Sequence, residues 1–300
     1  MPMTLPPISR RRFLAGTLAA GAGWLAGRPV FAADERQRDP HRFALLADTH
    51  VPSDHATVVR GACMSENLRR VGGELLTLDE RPAAVFIDGD CAYLTGESQD
   101  YANLVELLQP IREGGLPVHL ALGNHDHRER FWQAIPAGDD KPIETRHLTV
   151  IESPRADWIL LDSLDVTNKT PGVLGEEQLA WLGGALDKRR DKPAIVVLHH
   201  NPDDRPNTGG LTDTAALMNV LRPRKQAKAV VFGHTHVWSV REQEGVHLIN
   251  LPPVAYVFRP DDPNGWVDAR LKSDGLTLQL RCHDPQHQQH REAVELTWRA

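Results

Sequence analysis

The chain has 300 residues, 41% of them hydrophobic and 25% charged, an ordinary globular profile that allows one large domain or two small ones. Formal net charge is −6, and the only charges in the first 33 residues are four arginines, so the remainder is more acidic still. An acidic body with no basic stripe excludes general nucleic-acid binding, yet leaves room for a small anionic substrate whose charge is met by metal ions.

Ser9-Arg10-Arg11-Arg12-Phe13-Leu14 matches the twin-arginine export pattern S-R-R-x-F-L, and an apolar Gly/Ala-rich run from Phe13 to Ala26 follows. Val30-Phe31-Ala32 offers small residues for cleavage after Ala32 or Ala33. Residues 1–33 therefore read as a signal peptide, 34–41 as a polar linker and 42–300 as one domain. A short uncleaved anchor is the competing reading, but the run is shorter than a spanning helix needs. The expectation is a periplasmic or exported enzyme, handed folded to the twin-arginine translocation machinery, with no stable membrane span once mature. Cys63, Cys91 and Cys282 give an odd count with no C-x-x-C spacing, so a thiolate zinc site is not expected.

In chain order, an apolar run Phe43–Ala47 predicts a first strand. Apolar residues then recur at helical spacing from Asp54 to Leu78, and Arg81-Pro82 breaks that pattern before a second strand ending at Asp88. A helix over Ser98–Arg112 stops at Gly114-Gly115, and a third strand runs to Leu122. This β-α-β-α-β start is the signature of an α/β sheet. Two paired strands follow, His147–Ile151 and Trp158–Leu161, then a helix over Glu176–Leu186, a strand Ala194–Leu198, a short helix Thr214–Leu221 and a strand Ala229–Phe232. Asn201–Gly210, rich in Pro, Asp, Asn and Gly, reads as a loop beside the site. Beyond His236 the pattern turns to period two, with hairpins about Glu244-Gly245 and Asp274-Gly275. The predicted fold is α/β, two packed mixed β-sheets flanked by helices. His283, His287 and His290 read as a solvated tail.

Five of these strands stop at polar clusters: Asp48-Thr49-His50, Gly89-Asp90, Gly123-Asn124-His125-Asp126, His199-His200 and Gly233-His234-Thr235-His236. The ends of strands are where an α/β sheet builds its site. Carboxylate, amide and imidazole suit hard to borderline divalent metals, and their number points to two ions. A two-residue step, Asp48 to His50 or His234 to His236, aims both side chains the same way if the strand continues. By residue type alone, Asp88 competes with Asp90 and His200 with His199. His119 and His147 read as structural, and His127 and Arg128 as surface charge or substrate contacts.

D-x-H, G-D, G-N-H-D, H-H and G-H-x-H in this order resemble the calcineurin-like metallophosphoesterase superfamily over residues 42–250. The resemblance implies a four-layer α/β/β/α sandwich. It also implies that Asp48, His50 and His236 hold one metal, Asn124, His199 and His234 the other, and that Asp90 bridges them. The cofactors would be two divalent or mixed-valence transition-metal ions, with Fe, Mn, Zn and Co all suited to this donor set. A metal-bridging hydroxide would attack phosphorus in line, with His125 as general acid. Asp126 would orient the His125 ring and His200 would contact the site from behind its ligands or touch substrate. Asp90-Cys91-Ala92-Tyr93 also reproduces the G-D-x-x-Y spacing of purple acid phosphatases, whose Tyr ligates ferric iron. Those enzymes lack the His of D-x-H, so Tyr93 is expected beside the ligands rather than among them. The resulting expectation is a phosphoester hydrolase favouring diesters. The alternatives are an exported acid phosphatase acting on monoesters and a catalytically silent metal- or phosphate-binding protein.

Overall fold

A computed structural model describes residues 4–5, 38–136, 141–203 and 209–300. The first half runs β1 (Thr4–Leu5), β2 (Arg38–Ala47), the small hairpin β3 (Val58–Val59) and β4 (Ala62–Cys63), α1 (Met64–Thr77), β5 (Arg81–Asp88), α2 (Ser98–Glu113), β6 (Val118–Leu120) and α3 (Arg128–Ala134). The second runs β7 (Thr149–Glu152), β8 (Asp157–Leu160), α4 (Gly175–Asp187), β9 (Ala194–Val197), α5 (Thr214–Leu221), β10 (Ala227–Phe232), β11 (Ser239–Gln243) and β12 (Val246–Asn250). β13 (Gly265–Leu271), β14 (Gly275–Cys282) and β15 (Ala293–Thr297) close the chain.

Two sheets result. One has the order β1-β6-β5-β2-β13-β14-β15, and the other β11-β12-β10-β9-β8-β7. The central pairs β2–β5, β5–β6, β8–β9, β9–β10 and β10–β12 are parallel. Alternation along each strand sends one set of side chains between the sheets and the other under the helices. Phe43, Leu45, Phe86, Trp158, Val197, Val231 and Val267 fill the layer between the sheets. Leu46, Val85 and Ile87 pack instead under α1 and α2, with Leu68, Leu75, Leu104 and Leu108. Ile159, Val196 and Val230 meet Leu182 of α4 and Leu217 of α5. The predicted four-layer arrangement is present. The Phe86 and Trp158 rings stack at 4.7 Å in the middle layer, where truncating either to Ala costs about 3–5 kcal/mol.

Three local expectations need correction. The helix predicted from Asp54 begins only at Met64, because Arg60 and Gly61 adopt left-handed φ of 50° and 82° and turn Val58–Cys63 into a hairpin. β2 begins at Arg38, inside the stretch read as linker, and pairs Arg38–Asp39 with Arg81–Pro82. The tail carries β15, paired with β14, and its His283 is buried with a 2.8 Å hydrogen bond to the Val254 carbonyl. The twin-arginine motif and the run to Ala33 lie outside the described residues, as do 137–140 and 204–208. Upstream of that motif, Thr4–Leu5 pair antiparallel with Val118–His119.

Candidate metal centre

The strands stop just short of the chemistry. β2 ends at Ala47 and β10 at Phe232. Past those ends Asp48, His50, His234 and His236 take φ of 52°, 43°, 68° and 56°, and Asp90 takes 44°. Left-handed residues alternating with ordinary ones, rather than a continuing strand, aim each pair together. This corrects the geometric expectation while keeping its result. Non-glycine residues pay about 1–2 kcal/mol each for that conformation, the kind of strain that collects at functional sites.

The glycine of each motif is required by close approach. A Cβ on Gly89 would lie 2.6 Å from His199 Nδ1, and one on Gly233 2.6 Å from Asp48 Oδ2. One on Gly123 would overlap the Asp90 carboxylate and backbone nitrogen. Each motif's glycine thus makes room for a polar residue of another.

Asp48, His50 and His236 bring one nitrogen or oxygen each within 4.8 Å of one another, and Asp90, His199 and His234 do the same. Asp90 lies between the two groups: its Oδ2 is 3.2 Å from His199 Nε2 and 3.7 Å from His50 Nε2. Its Oδ1 accepts the backbone N–H of His125 at 2.8 Å, which fixes the carboxylate's orientation. The His50 and His236 Nε2 atoms face each other at 3.1 Å. His50 Nδ1 has no partner among the described residues, but the other three second ring nitrogens are taken up by backbone carbonyls: His199 Nδ1 by Asp88, His236 Nδ1 by Tyr256 and His234 Nε2 by Gly209. Ligating histidines are held in this way. Buried and without a hydrogen bond among the described residues are His199 Nε2 and Asn124 Oδ1. Buried donor atoms aimed at one another and left unpaired among the described residues fit two cations.

The electrostatics agree. Burial pushes the Asp48 and Asp90 carboxyls up, but His236 and His199 respectively prevail and hold both below the usual carboxylate range. Burial opposes charge on His199, yet Asp90 and Asp48 raise it to about 10. His50, with burial dominant, falls to about 3, and His234 to about 4 for the same reason. Two buried carboxylates thus hold positive charge strongly at this spot, as a cation site requires.

His125 stands at the edge of this group, with its ring centroid 5.3 Å from that of His50. Its Nδ1 is 2.7 Å from the Leu94 carbonyl, so Nδ1–H donates there and Nε2 faces away. His50, Asp90 and His125 also bring donor atoms within 4.8 Å, so geometry alone leaves His125 able to ligate. Asp126 does not orient this ring, contrary to expectation. Its carboxylate accepts the backbone N–H groups of Gly123, Cys91 and Ala92 and the Tyr101 hydroxyl, tying the loops after β5 and β6 together. Burial and then Asp90 push it up to about 6, against those backbone donors.

His200 bonds Ser163 Oγ through Nδ1 at 2.8 Å, its ring 4.8 Å from that of His234, and its buried Nε2 has no partner among the described residues. Tyr93 presents an edge to His50 at 6.5 Å. Asp88 is fully buried below the ligands with both carboxylate oxygens unpaired among the described residues, and burial raises it well above the usual range. His127 caps α3, and Arg128 is bound to Asp162 at 2.7 Å, so neither is free surface charge. Sequence reasoning missed Leu94 as the group that holds His125, and no side-chain signal could have found it, because a backbone carbonyl does the work. It also missed Phe258, stacked on His236 at 4.5 Å, which lies in a Pro-rich loop with no periodicity to mark it.

A two-sheet α/β sandwich with paired Asp/His groups at its strand ends is suited to metal-assisted hydrolysis of phosphoesters. Residues 41–238 match the family described as calcineurin-like phosphoesterase, and the chain belongs to it. The chain is 26% identical to the 3′,5′-cyclic adenosine monophosphate phosphodiesterase CpdA of Pseudomonas aeruginosa, over 80% of this chain and 84% of that one. It is 27% identical to the CpdA of Haemophilus influenzae, over 77% of this chain and 85% of that one. In fold it is similar to a dimetal phosphatase from Danio rerio, with TM-score 0.65 at 16% identity, covering 87% of this chain and 100% of that one.

Proposed function

We propose that the chain is a dinuclear metal-dependent phosphodiesterase, with 3′,5′-cyclic nucleotides the first substrates to test. The observation that carries this is Asp90, whose Oδ2 lies within 3.7 Å of His50 on one side and 3.2 Å of His199 on the other. Asp48, His50 and His236 would hold one ion, Asn124, His199 and His234 the second, and Asp90 both. Bound, the two cations supply Lewis acidity and lower the pKa of a water toward neutrality. Leu94 fixes the His125 ring through Nδ1, so a protonated His125 has its Nε2–H free to donate to the departing oxygen. The loops after β5 and β6 stay in place through Asp126, which keeps Asp90 and His125 in fixed relation.

The preference for diesters is supported by relatives named as cyclic-nucleotide phosphodiesterases, of which this chain spans most of the length. Export by the twin-arginine route belongs to the same proposal and rests on the Ser9–Leu14 motif. Hydrolysis of bis(p-nitrophenyl) phosphate is to be compared with p-nitrophenyl phosphate, using protein of assayed metal content and a chelated control. Metal-dependent cleavage favouring the diester is expected. A monoester preference refutes the diester assignment, and inactivity of fully metallated protein on both esters and on cyclic nucleotides refutes the enzyme.

A further inference from the structure

Exposed apolar side chains are ordinary when scattered, and informative when they gather. Among the described residues four large apolar side chains are exposed: Val58, Leu94, Val166 and Phe258. Three of them sit on segments in direct contact with residues of the metal centre, and Val58 on a hairpin one layer out. Phe258, 51% exposed, stacks on His236 with the ring planes 30° apart. Leu94 gives its carbonyl to His125. Val166 precedes Thr167 and Asn168, which bond the backbone carbonyls of Asp126 and Asn124. Val58 belongs to the β3–β4 hairpin, whose Val59 and Ala62 pack against the cluster of Met64, Ala255 and Tyr256, and Tyr256 in turn stacks on His50. At the tip of that hairpin the Arg60 guanidinium lies 5.1 Å from the Phe258 ring centroid. Arg60 makes no ion pair among the described residues.

We infer that Phe258 and Arg60 form a rim at the metal centre that receives a flat aromatic group carried on the substrate's phosphate, such as an aryl ring or nucleobase. This rests on the phosphoester reading above. A phosphoryl group anchored at the ligands leaves its organic substituent outside them, on the side where Phe258 stacks on His236 and Arg60 lies over Phe258. An aromatic face and a planar guanidinium together select a π-system over a saturated group of equal size. The cation at the rim also suits an electron-rich ring on an otherwise acidic body.

The test is a calorimetric titration of the full-length, metal-loaded protein with methyl-, cyclohexyl- and phenylphosphonate, repeated on Phe258→Ala and Phe258→Leu. Phenylphosphonate is expected to bind about 10-fold more tightly than methylphosphonate, with cyclohexylphosphonate between them. Both variants should keep their metal content and their methylphosphonate affinity, which reports an intact fold, while the phenyl advantage falls to about 2-fold or less. Equal binding of phenyl- and methylphosphonate, or a phenyl advantage that survives both substitutions, overturns the rim. Equal binding of phenyl- and cyclohexylphosphonate overturns its aromatic preference. If no phosphonate binds fully metallated protein, the phosphoester reading itself fails and the rim falls with it.

Discussion

Gly123→Ala is the sharpest perturbation of the proposed centre, because it adds one methyl group and removes no donor atom. The backbone at Gly123 is not in the left-handed region, so contact rather than strain decides the outcome. The new Cβ would lie 2.7 Å from His199 Cδ2 and overlap both the carboxylate and the backbone nitrogen of Asp90. Carbon atoms pack at about 3.5–4 Å, so His199 must retreat by about 0.8 Å and Asp90 by more. The Asp90 backbone cannot yield easily, since His50 N–H donates to its carbonyl at 2.8 Å. Metal-ligand distances tolerate about 0.2 Å, and a displacement of about 1 Å at a reacting centre costs about 10²-fold. Metal affinity is expected to fall at least about 10-fold and turnover about 10²-fold, read by elemental analysis after dialysis and by aryl diester hydrolysis. Gly184→Ala, where a Cβ meets nothing within 4 Å, is the control. Wild-type metal stoichiometry and turnover in folded Gly123→Ala would refute the placement of Asp90 between the two groups.

Two further outcomes bear on separate residues. His125→Ala should lower turnover by about 10²–10⁴-fold with metal content unchanged; loss of metal would make His125 a ligand, a role its distances also allow. His147, buried and bonded to the Leu120 carbonyl, has its pKa lowered by burial to about 4. Its folded value lies below the unfolded 6.5, so the neutral ring's contribution is full above pH 6.5 and is lost as pH falls toward 4. Between pH 8 and pH 5 this amounts to about 2 kcal/mol. Urea unfolding of His147→Phe should therefore show a pH dependence shallower by that amount, and an unchanged slope would disprove the assignment.

The two sheets and the polar clusters at five strand ends were legible because each signal is local, an apolar run followed by Asp, Asn or His. The partition of Asp48, His50 and His236 from Asn124, His199 and His234 was not local, and came from resemblance. What stayed hidden depends on backbone and on distant sequence. The carbonyl of Leu94 that holds His125 has no side-chain signature. The hairpin at Val58–Cys63 carries apolar residues at helical spacing, and only the Arg60-Gly61 turn decides against the helix. Arg128 reads as surface charge until Asp162, 34 residues on, is folded against it. His283 reads as solvated until the Val254 carbonyl covers it.

Asp126 shows why proximity in sequence misleads about role. Next to His125 in the chain, it reads as the group that orients that ring. In the fold it instead gathers three backbone N–H groups from the loops that carry Asp90 and Asn124 and the Tyr101 hydroxyl of α2. The Tyr101 hydroxyl that donates to it also accepts the backbone N–H of His127, extending the tie to α3. Those loops need such a tie, because Asp90 and Leu94 hold left-handed φ of 44° and 55° that a non-glycine residue leaves readily unless its surroundings over-determine it. A carboxylate accepting several backbone N–H groups is a strong fastener, since charge-assisted hydrogen bonds exceed neutral ones about twofold. The aspartate of G-N-H-D thus acts on chemistry through the backbone, by keeping the Asp90 carboxylate and the His125 ring where two strained turns place them.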